Sequence, residues 1–371
     1  METHHRLVVG SAASMTGIGD ATVDLVVTSP PYPMIEMWDA SFVAQEPRIA
    51  AHLDDGDGTA AFELMHAVLD AVWAECSRVL RPGGFACINI GDATRSIGGG
   101  FRLYTNHVRI AGRCEALGFQ SLPTVLWRKQ TNAPNKFMGS GMLPSGAYVT
   151  LEHEHVLILR KGGKRVFGPE EKQRRMRSAF FWEERNVWFS DVWDFKGVQQ
   201  QLGSADARSR SGAFPFELPF RLISMYSMQG DVILDPFAGT GTTMAAAIAC
   251  GRSSVSLELD AALAPVVRAT IERAAAGGSG GGGSDALNER QLRRLRDHGE
   301  FVREFRERRG CEPGYTNAPH GFPVVTRQET GLVIPGVTGV RPTAERDDGG
   351  MEWAATHEQL HDRGALQHEL F

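Results

Sequence analysis

The chain has 371 residues, 42 % of them hydrophobic and 22 % charged, which is ordinary for a globular protein and excludes a disordered or fibrous one. A formal net charge of −5 argues against whole-surface affinity for nucleic acid but leaves room for a local basic groove. Cys76, Cys87, Cys114, Cys250 and Cys311 form no C-x-x-C pair and have no metal-ligand spacing. Free thiols in a reducing cytosol are therefore expected, with no metal site. No long apolar core follows Met-Glu-Thr-His-His-Arg at the N-terminus, so neither a signal peptide nor a membrane span is expected, and the predicted location is the cytoplasm.

In chain order, residues 6–10 and 23–28 read as strands, the second (Val-Asp-Leu-Val-Val-Thr) with the pattern of a buried one. Residues 39–59 lack a clear period and are expected to form a loop over the site. From Phe62 to Leu80 apolar residues fall at helical spacing until Arg81-Pro82-Gly83-Gly84, the expected stop. Residues 85–90 read as a buried strand and Tyr104–Leu117 as a helix. Strands are expected at 124–127 and 154–159. Alternation of strands with helices of this length predicts a doubly wound, mostly parallel sheet.

Residues 162–212 differ in kind. Arg160–Arg177 holds eight Lys or Arg against two Glu, and Phe180, Phe181, Trp182, Trp188, Phe189, Trp193 and Phe195 follow. Cations beside rings suit a nucleic-acid surface, and the competing reading is a solvated charge run beside a hydrophobic cluster. The α/β pattern resumes with a helix from Phe214, a strand at 231–235, a helix at 242–250, a strand at 254–258 and a helix at 261–276. Gly277–Ser284 is a Gly/Ser linker. A charged helix over 288–309 and a weakly patterned tail complete the chain.

Two stretches carry chemistry. Ser29-Pro30-Pro31-Tyr32 follows the 23–28 strand; two prolines cannot continue a sheet, so a rigid loop with free carbonyls and an aromatic tip is expected. Such a loop suits the exocyclic amine of a planar base. Asp235-Pro236-Phe237-Ala238-Gly239-Thr240-Gly241-Thr242-Thr243 joins a strand to a helix, with glycines that allow tight turning and close approach to a ligand. A second strand ends at Glu258, an acidic residue able to take ribose hydroxyls. Without a full G-x-G-x-x-G, a nucleoside ligand lacking a pyrophosphate is favoured over a dinucleotide, and S-adenosylmethionine is the prime candidate.

Together these motifs resemble the DNA amino-methyltransferases that make N4-methylcytosine or N6-methyladenine. With the catalytic loop preceding the cofactor loop, the chain is similar to the circularly permuted β-class of restriction–modification enzymes over about residues 5–275. The resemblance implies a Rossmann-like S-adenosylmethionine-dependent methyltransferase fold, an α/β fold with a mixed, mostly parallel sheet and helices on both faces, plus a small recognition region. It implies catalytic and cofactor halves at 1–161 and 213–276, a target recognition region at 162–212, the linker at 277–284, and an extension of unknown role at 285–371. Asp235, Pro236, Phe237, Gly239, Gly241 and Thr242 would wall the methionine end of the cofactor, Glu258 would hold the ribose, and Phe214-Pro215 would line the pocket. Gly10-Ser11 stands where the family often has Gly-Asp, which places Ser11 among the outer contacts. Ser29 Oγ and the Pro30 carbonyl would accept the amine hydrogens, and Tyr32 would stack on a base flipped from duplex DNA.

Serine at the first loop position resembles the cytosine-N4 enzymes, where aspartate is more usual for adenine-N6, so N4 is expected and N6 is the alternative. No cysteine follows a proline, which disfavours ring-carbon methylation. Arg174, Arg175 and Arg177 are assigned as phosphate contacts. Double-stranded DNA is the expected partner, with a cognate restriction endonuclease sharing the site as a further one, and the chain is expected to be a monomer or homodimer. The rival classes are a non-catalytic nucleic-acid-binding relative and an enzyme acting on RNA or protein.

Overall fold

The structure is a computed structural model that describes residues 1–129, 138–139, 143–197, 214–276 and 285–360. The linker, residues 198–213 with the end of the expected recognition region, and the last eleven residues lie outside these.

The molecule is built on a ten-stranded sheet. Its strands are β1 (Glu2–Val9), β2 (Val23–Thr28), β3 (Leu80–Ile90), β6 (Phe119–Arg128), β9 (His153–Lys161), β10 (Val192–Asp194), β11 (Val232–Asp235), β12 (Ser253–Glu258), β15 (Pro335–Glu345) and β16 (Met351–Gln359). Their order is β10-β6-β9-β3-β2-β11-β12-β1-β16-β15. The run β3-β2-β11-β12-β1 is parallel throughout, and β9 and β16 run against it. Small antiparallel pairs join β4 (Ala93–Ile97) to β5 (Gly100–Tyr104), β7 (Met138–Gly139) to β8 (Ala147–Tyr148) and β13 (Tyr315–Thr316) to β14 (Pro323–Val324).

Every residue of β2 is buried, as expected of a mostly apolar strand covered on both faces, and Asp24 is buried with the rest. Leu25 and Val26 pair with Ile233 and Leu234 on one side and with Phe85 and Ala86 on the other. This register brings the C-terminal ends of β2 and β11 out together. From there the chain leaves β2 toward β3 and leaves β11 toward β12, in opposite directions. Such a switch point opens a crevice at the carboxyl ends of the strands.

Helix α3 (Gly58–Val79) covers the β2–β3 side. Phe62, Met65, Leu69, Val72, Trp73, Cys76 and Val79 form its buried stripe, and Asp57 caps it through Ala60 N–H at 3.0 Å. The cap starts the helix four residues before Phe62. Arg81-Pro82-Gly83-Gly84 does end it, but as part of β3: Gly83 takes φ +79°, and a Cβ on Gly84 would lie 2.8 Å from the Asp24 carbonyl. The motif is an irregular strand start and not a loop.

The region 39–59 is also not a loop. It forms α1 (Asp39–Gln45) and α2 (Arg48–Asp54), preceded by a turn at Glu36–Trp38. Each helix is seven residues long and buries one side chain, Phe42 or Ile49. One contact per helix produces no readable period. On the same side lies α4 (Asn106–Ala116). The basic and aromatic segment forms α5 (Pro169–Arg177), α6 (Trp182–Trp188) and β10. Phe181, Trp188 and Trp193 are fully buried, so these aromatics are core, although Trp182 and Phe189 stay exposed.

The cofactor half supplies α7 (Glu217–Tyr226), α8 (Thr242–Ala249) and α9 (Ala264–Ala276). The tail is structured and docked. Helix α10 (Asp285–Arg309) donates from Gln291 Nε2 to the Ala249 carbonyl at 2.8 Å and clamps Glu184 through Arg294 at 2.6 and 2.8 Å. The β15–β16 hairpin then adds to β1, pairing Glu2 with Thr356 through Leu7 with Met351. Without the tail, β1 would be an open edge.

Candidate active site

Thr28 and Asp235 end the two central strands and are joined there, Thr28 Oγ1 donating to Asp235 Oδ1 at 2.6 Å. Asp235 Oδ1 also accepts Phe237 N–H at 3.1 Å, which folds the Asp-Pro-Phe turn over the strand end. Gly239 N–H donates to Glu258 Oε2 at 2.8 Å, and Asp260 N–H donates to Glu258 Oε1 at 2.9 Å. Gly241 has φ +82°, and a Cβ there would meet Val267 Cγ1 at 2.9 Å. Only glycine fits that position. Burial raises the proton affinity of both carboxylates, opposed at Asp235 first by the Thr28 hydrogen bond and at Glu258 by the Asp260 and Gly239 N–H groups. Among the described residues neither forms an ion pair with a cationic side chain.

These groups face a cavity of about 410 Å³ at the switch point. Ser11, Ser29, Pro31, Phe214, Asp235, Pro236, Phe237, Gly239, Thr242 and Glu258 line it together, from well-separated parts of the sequence. Pro30, Tyr32, Pro215 and Gly241 do not line it. Pro30 is buried behind the loop, Pro215 is buried and starts the α7 turn by accepting Leu218 N–H at 3.0 Å, and Gly241 packs away against Val267. The cavity has walls that the sequence reading did not name. Phe42 and Gln45 come from the stretch expected to be a loop and Trp38 from the turn just before it, Leu69 and Val72 from α3, and Asp260 from just beyond Glu258. Asp260, two residues after Glu258, offered the one legible signal.

On the β3 side of the catalytic loop lies a polar cluster. Ser29 Oγ donates to Tyr32 Oη at 3.0 Å, and Tyr32 Oη donates to Glu154 Oε2 at 3.0 Å. Asn89 Nδ2 donates to both Tyr32 Oη and Glu154 Oε2, at 2.9 and 2.6 Å. Lys129 Nζ bonds the other Glu154 oxygen. A Cβ on Gly91 would lie 2.9 Å from Tyr32 Cε2, so glycine there admits the tyrosine ring. Asn106 fixes the loop from below by donating to the Pro33 and Gly91 carbonyls at 3.0 and 2.9 Å. Nearby, His107 Nδ1 lies 2.8 Å from Asp92, and the rings of His107 and His155 stack at 3.7 Å. Parallel rings aim their in-plane lone pairs poorly at a common ion, so this cluster reads as a hydrogen-bonded stack.

The three arginines assigned to DNA lie elsewhere. Arg174 pairs with Asp231 at 3.1 Å, at the N-terminal end of β11, and Arg175 packs its guanidinium over Phe167 at 4.8 Å. The Arg177 carbonyl accepts Val333 N–H at 3.0 Å. Helix α5 therefore sits at the end of the sheet opposite Ser29. The buried Asp231 carboxylate needs a cation, and Arg174 supplies it.

A crevice at the switch point, a strand-end aspartate, a glycine turn and a second strand-end acid define a Rossmann-like S-adenosylmethionine-dependent methyltransferase. A family model for DNA methylases matches residues 23–268. Type II methyltransferase M.MthZI of Methanothermobacter thermautotrophicus is 49 % identical over 332 residues, which span 89 % of each chain. M.MjaI of Methanocaldococcus jannaschii is 47 % identical over 280 residues, 72 % of this chain and 91 % of that one. Among solved structures, a protein of Thermus thermophilus provisionally assigned as a DNA modification methylase, complexed with S-adenosyl-L-methionine, superimposes with a TM-score of 0.55. It is 34 % identical, and the match covers 72 % of this chain and 95 % of that one. The chain belongs to the DNA methylase family: it is an S-adenosylmethionine-dependent DNA amino-methyltransferase of the restriction–modification type. No helix among the described residues is long and apolar enough to cross a membrane.

Proposed function

We propose that the enzyme is a β-class, N4-specific cytosine methyltransferase that acts on a base flipped from duplex DNA. The observation that carries this reading is the orientation of Ser29. Its own proton is committed to Tyr32 Oη, which leaves the Oγ lone pairs free to accept from an exocyclic amine. The amine lone pair is delocalised into the base ring; a hydrogen bond from its N–H to Ser29 Oγ, which lines the cavity, would return density to nitrogen and orient it for attack on the methyl group. Transfer is then direct, with no covalent enzyme intermediate.

S-Adenosylmethionine supplies the activated methyl group. Asp235, Phe237 and Gly239 enclose its methionine end and Glu258 takes the ribose hydroxyls; both Glu258 oxygens keep a lone pair beyond the N–H bonds they already accept. Phe214 and Ser11 close the outer wall. Residues 1–161 and 213–276 act as catalytic and cofactor halves, and residues between them read the target sequence. The tail, through β16, completes the sheet beside the cofactor half.

The test is to label genomic DNA of a methylation-free host with tritiated S-adenosylmethionine, digest it and separate the nucleosides. Tritium in N4-methyldeoxycytidine supports the reading. Tritium in N6-methyldeoxyadenosine would keep the mechanism and replace the base.

A further inference from the structure

Methylating a neutral amine leaves a positive charge on nitrogen until an N–H proton departs, and the proposed role of Ser29 does not say where that proton goes. The hydrogen bonds at the loop have a direction. Ser29 Oγ–H points to Tyr32 Oη, and Tyr32 O–H points to Glu154 Oε2, each at 3.0 Å. Each hydroxyl gives its proton one step further from the cavity, and the chain ends on a carboxylate. Asn89 Nδ2 holds both the phenol oxygen and the carboxylate from one side. Burial and the adjacent Glu154 charge hold the phenol well above its usual range, so Tyr32 is a neutral link able to accept one proton while donating another. The Lys129 ammonium pairs with Glu154 Oε1, and the Glu154 side chain is itself 11 % exposed, which gives the carboxylate its own access to solvent.

We propose that Ser29, Tyr32 and Glu154 form a proton exit relay, with Glu154 as the terminal acceptor; this rests on the amine-methylation reading above. The N–CH3 bond forms as the S–CH3 bond breaks, and the sulfonium becomes a neutral thioether. The electron pair of the lost N–H bond stays on nitrogen. The amine proton goes to Ser29 Oγ, the Ser29 proton goes to Tyr32 Oη, and the Tyr32 proton goes to Glu154 Oε2. Solvent takes it up from Glu154 between turnovers. Glu154 is thus a positioning and proton-accepting residue that acts through Tyr32 and does not touch the base.

The experiment is single-turnover methylation of genomic DNA from a methylation-free host with tritiated S-adenosylmethionine, comparing wild type, Glu154→Gln, Tyr32→Phe and the double variant. Glutamine keeps the shape but cannot take the proton at the same oxygen. The relay predicts transfer about 100-fold slower in Glu154→Gln, with cofactor Kd by calorimetry within about twofold of wild type. Tyr32→Phe cuts the same chain without touching the charge, so it should slow transfer similarly, and the double variant should be no slower than either. Wild-type transfer in either single variant, a double variant slower than both single ones, or equal losses of turnover and cofactor affinity would overturn the relay. A wild-type enzyme that labels no DNA amine would overturn the amine reading as well, and is distinguished by needing no variant.

Discussion

Strands β2 and β11 carry acidic or hydroxylic residues near both ends, Asp24 and Asp231 at the start and Thr28 and Asp235 at the finish, and the two ends are treated in opposite ways. At the N-terminal end, Asp24 and Asp231 are buried, and three guanidiniums surround them. Arg165 reaches both, at 2.9 and 3.3 Å, Arg81 reaches Asp24 at 2.8 Å, and Arg174 reaches Asp231 at 3.1 Å. At the C-terminal end, Asp235 and the neighbouring Glu258 accept, among the described residues, hydroxyl and backbone N–H groups and no cationic side chain. With a rise of about 3.3 Å per residue, Asp24 and Ser29 are roughly 17 Å apart. One end is internally neutralised and holds the sheet together. The other keeps its acceptors open toward a cavity, where, on the proposed function, the sulfonium, ammonium and ribose hydroxyls of the cofactor would satisfy them. Unpaired carboxylates beside a cavity mark a binding site, and paired ones mark a brace.

Removing the brace should have the largest effect. Arg165→Ala leaves two buried carboxylates short of their shared cation, and we expect a loss of about 3–5 kcal/mol in denaturant unfolding, with cofactor affinity retained at temperatures where the variant is folded. A loss under about 1 kcal/mol, the scale of an exposed pair, would remove the distinction between the ends. At the open end, Ser29→Ala should reduce turnover by about 100-fold with cofactor affinity nearly unchanged; equal loss of both would make Ser29 structural. Asp235→Ala should weaken S-adenosylmethionine binding by roughly 10–100-fold, and unchanged affinity in calorimetry would refute its place at the cofactor.

The smallest effect is a pH dependence with two signs. Burial raises the Glu258 carboxyl above its ordinary value, so the native state holds a proton that the unfolded state has already released. The contribution of Glu258 to apoprotein stability is therefore greatest at low pH and is lost as pH rises through the raised value. Cofactor affinity, which needs the carboxylate, should move the other way and fall as pH drops through the same range. In Glu258→Gln both contributions should be flat, as thermal unfolding and calorimetry across pH would show.

Much of the open end was legible because its groups lie on short contiguous motifs. Ser29 and Pro31 come on one loop, Asp235 to Thr242 on one turn, and the parallel register of β2 and β11 brings them together. The brace was not legible. Asp24 reads as one polar residue in an apolar strand, and its partner Arg165 lies 141 residues away, in a basic run that resembles a nucleic-acid surface. The same long range hid the tail: β16 alternates buried and open residues only weakly, and its partner is the first strand of the chain. Helices α1 and α2, with one buried side chain each, offered no period to read. Glu154 and Asn89 sit within strands whose apolar neighbours dominate the pattern, and only the fold aims them at Tyr32.

The most direct test of Ser29-dependent amine methylation is single-molecule sequencing of genomic DNA from a methylation-free host that expresses either wild type or Ser29→Ala. N4-methylcytosine at one short motif is expected with wild type, and a strongly reduced fraction of methylated sites with Ser29→Ala. No methylated amine with wild type, or a modified base undiminished in the Ser29→Ala strain, would contradict it, whereas Ser29-dependent methylation of adenine would keep the mechanism and replace the base.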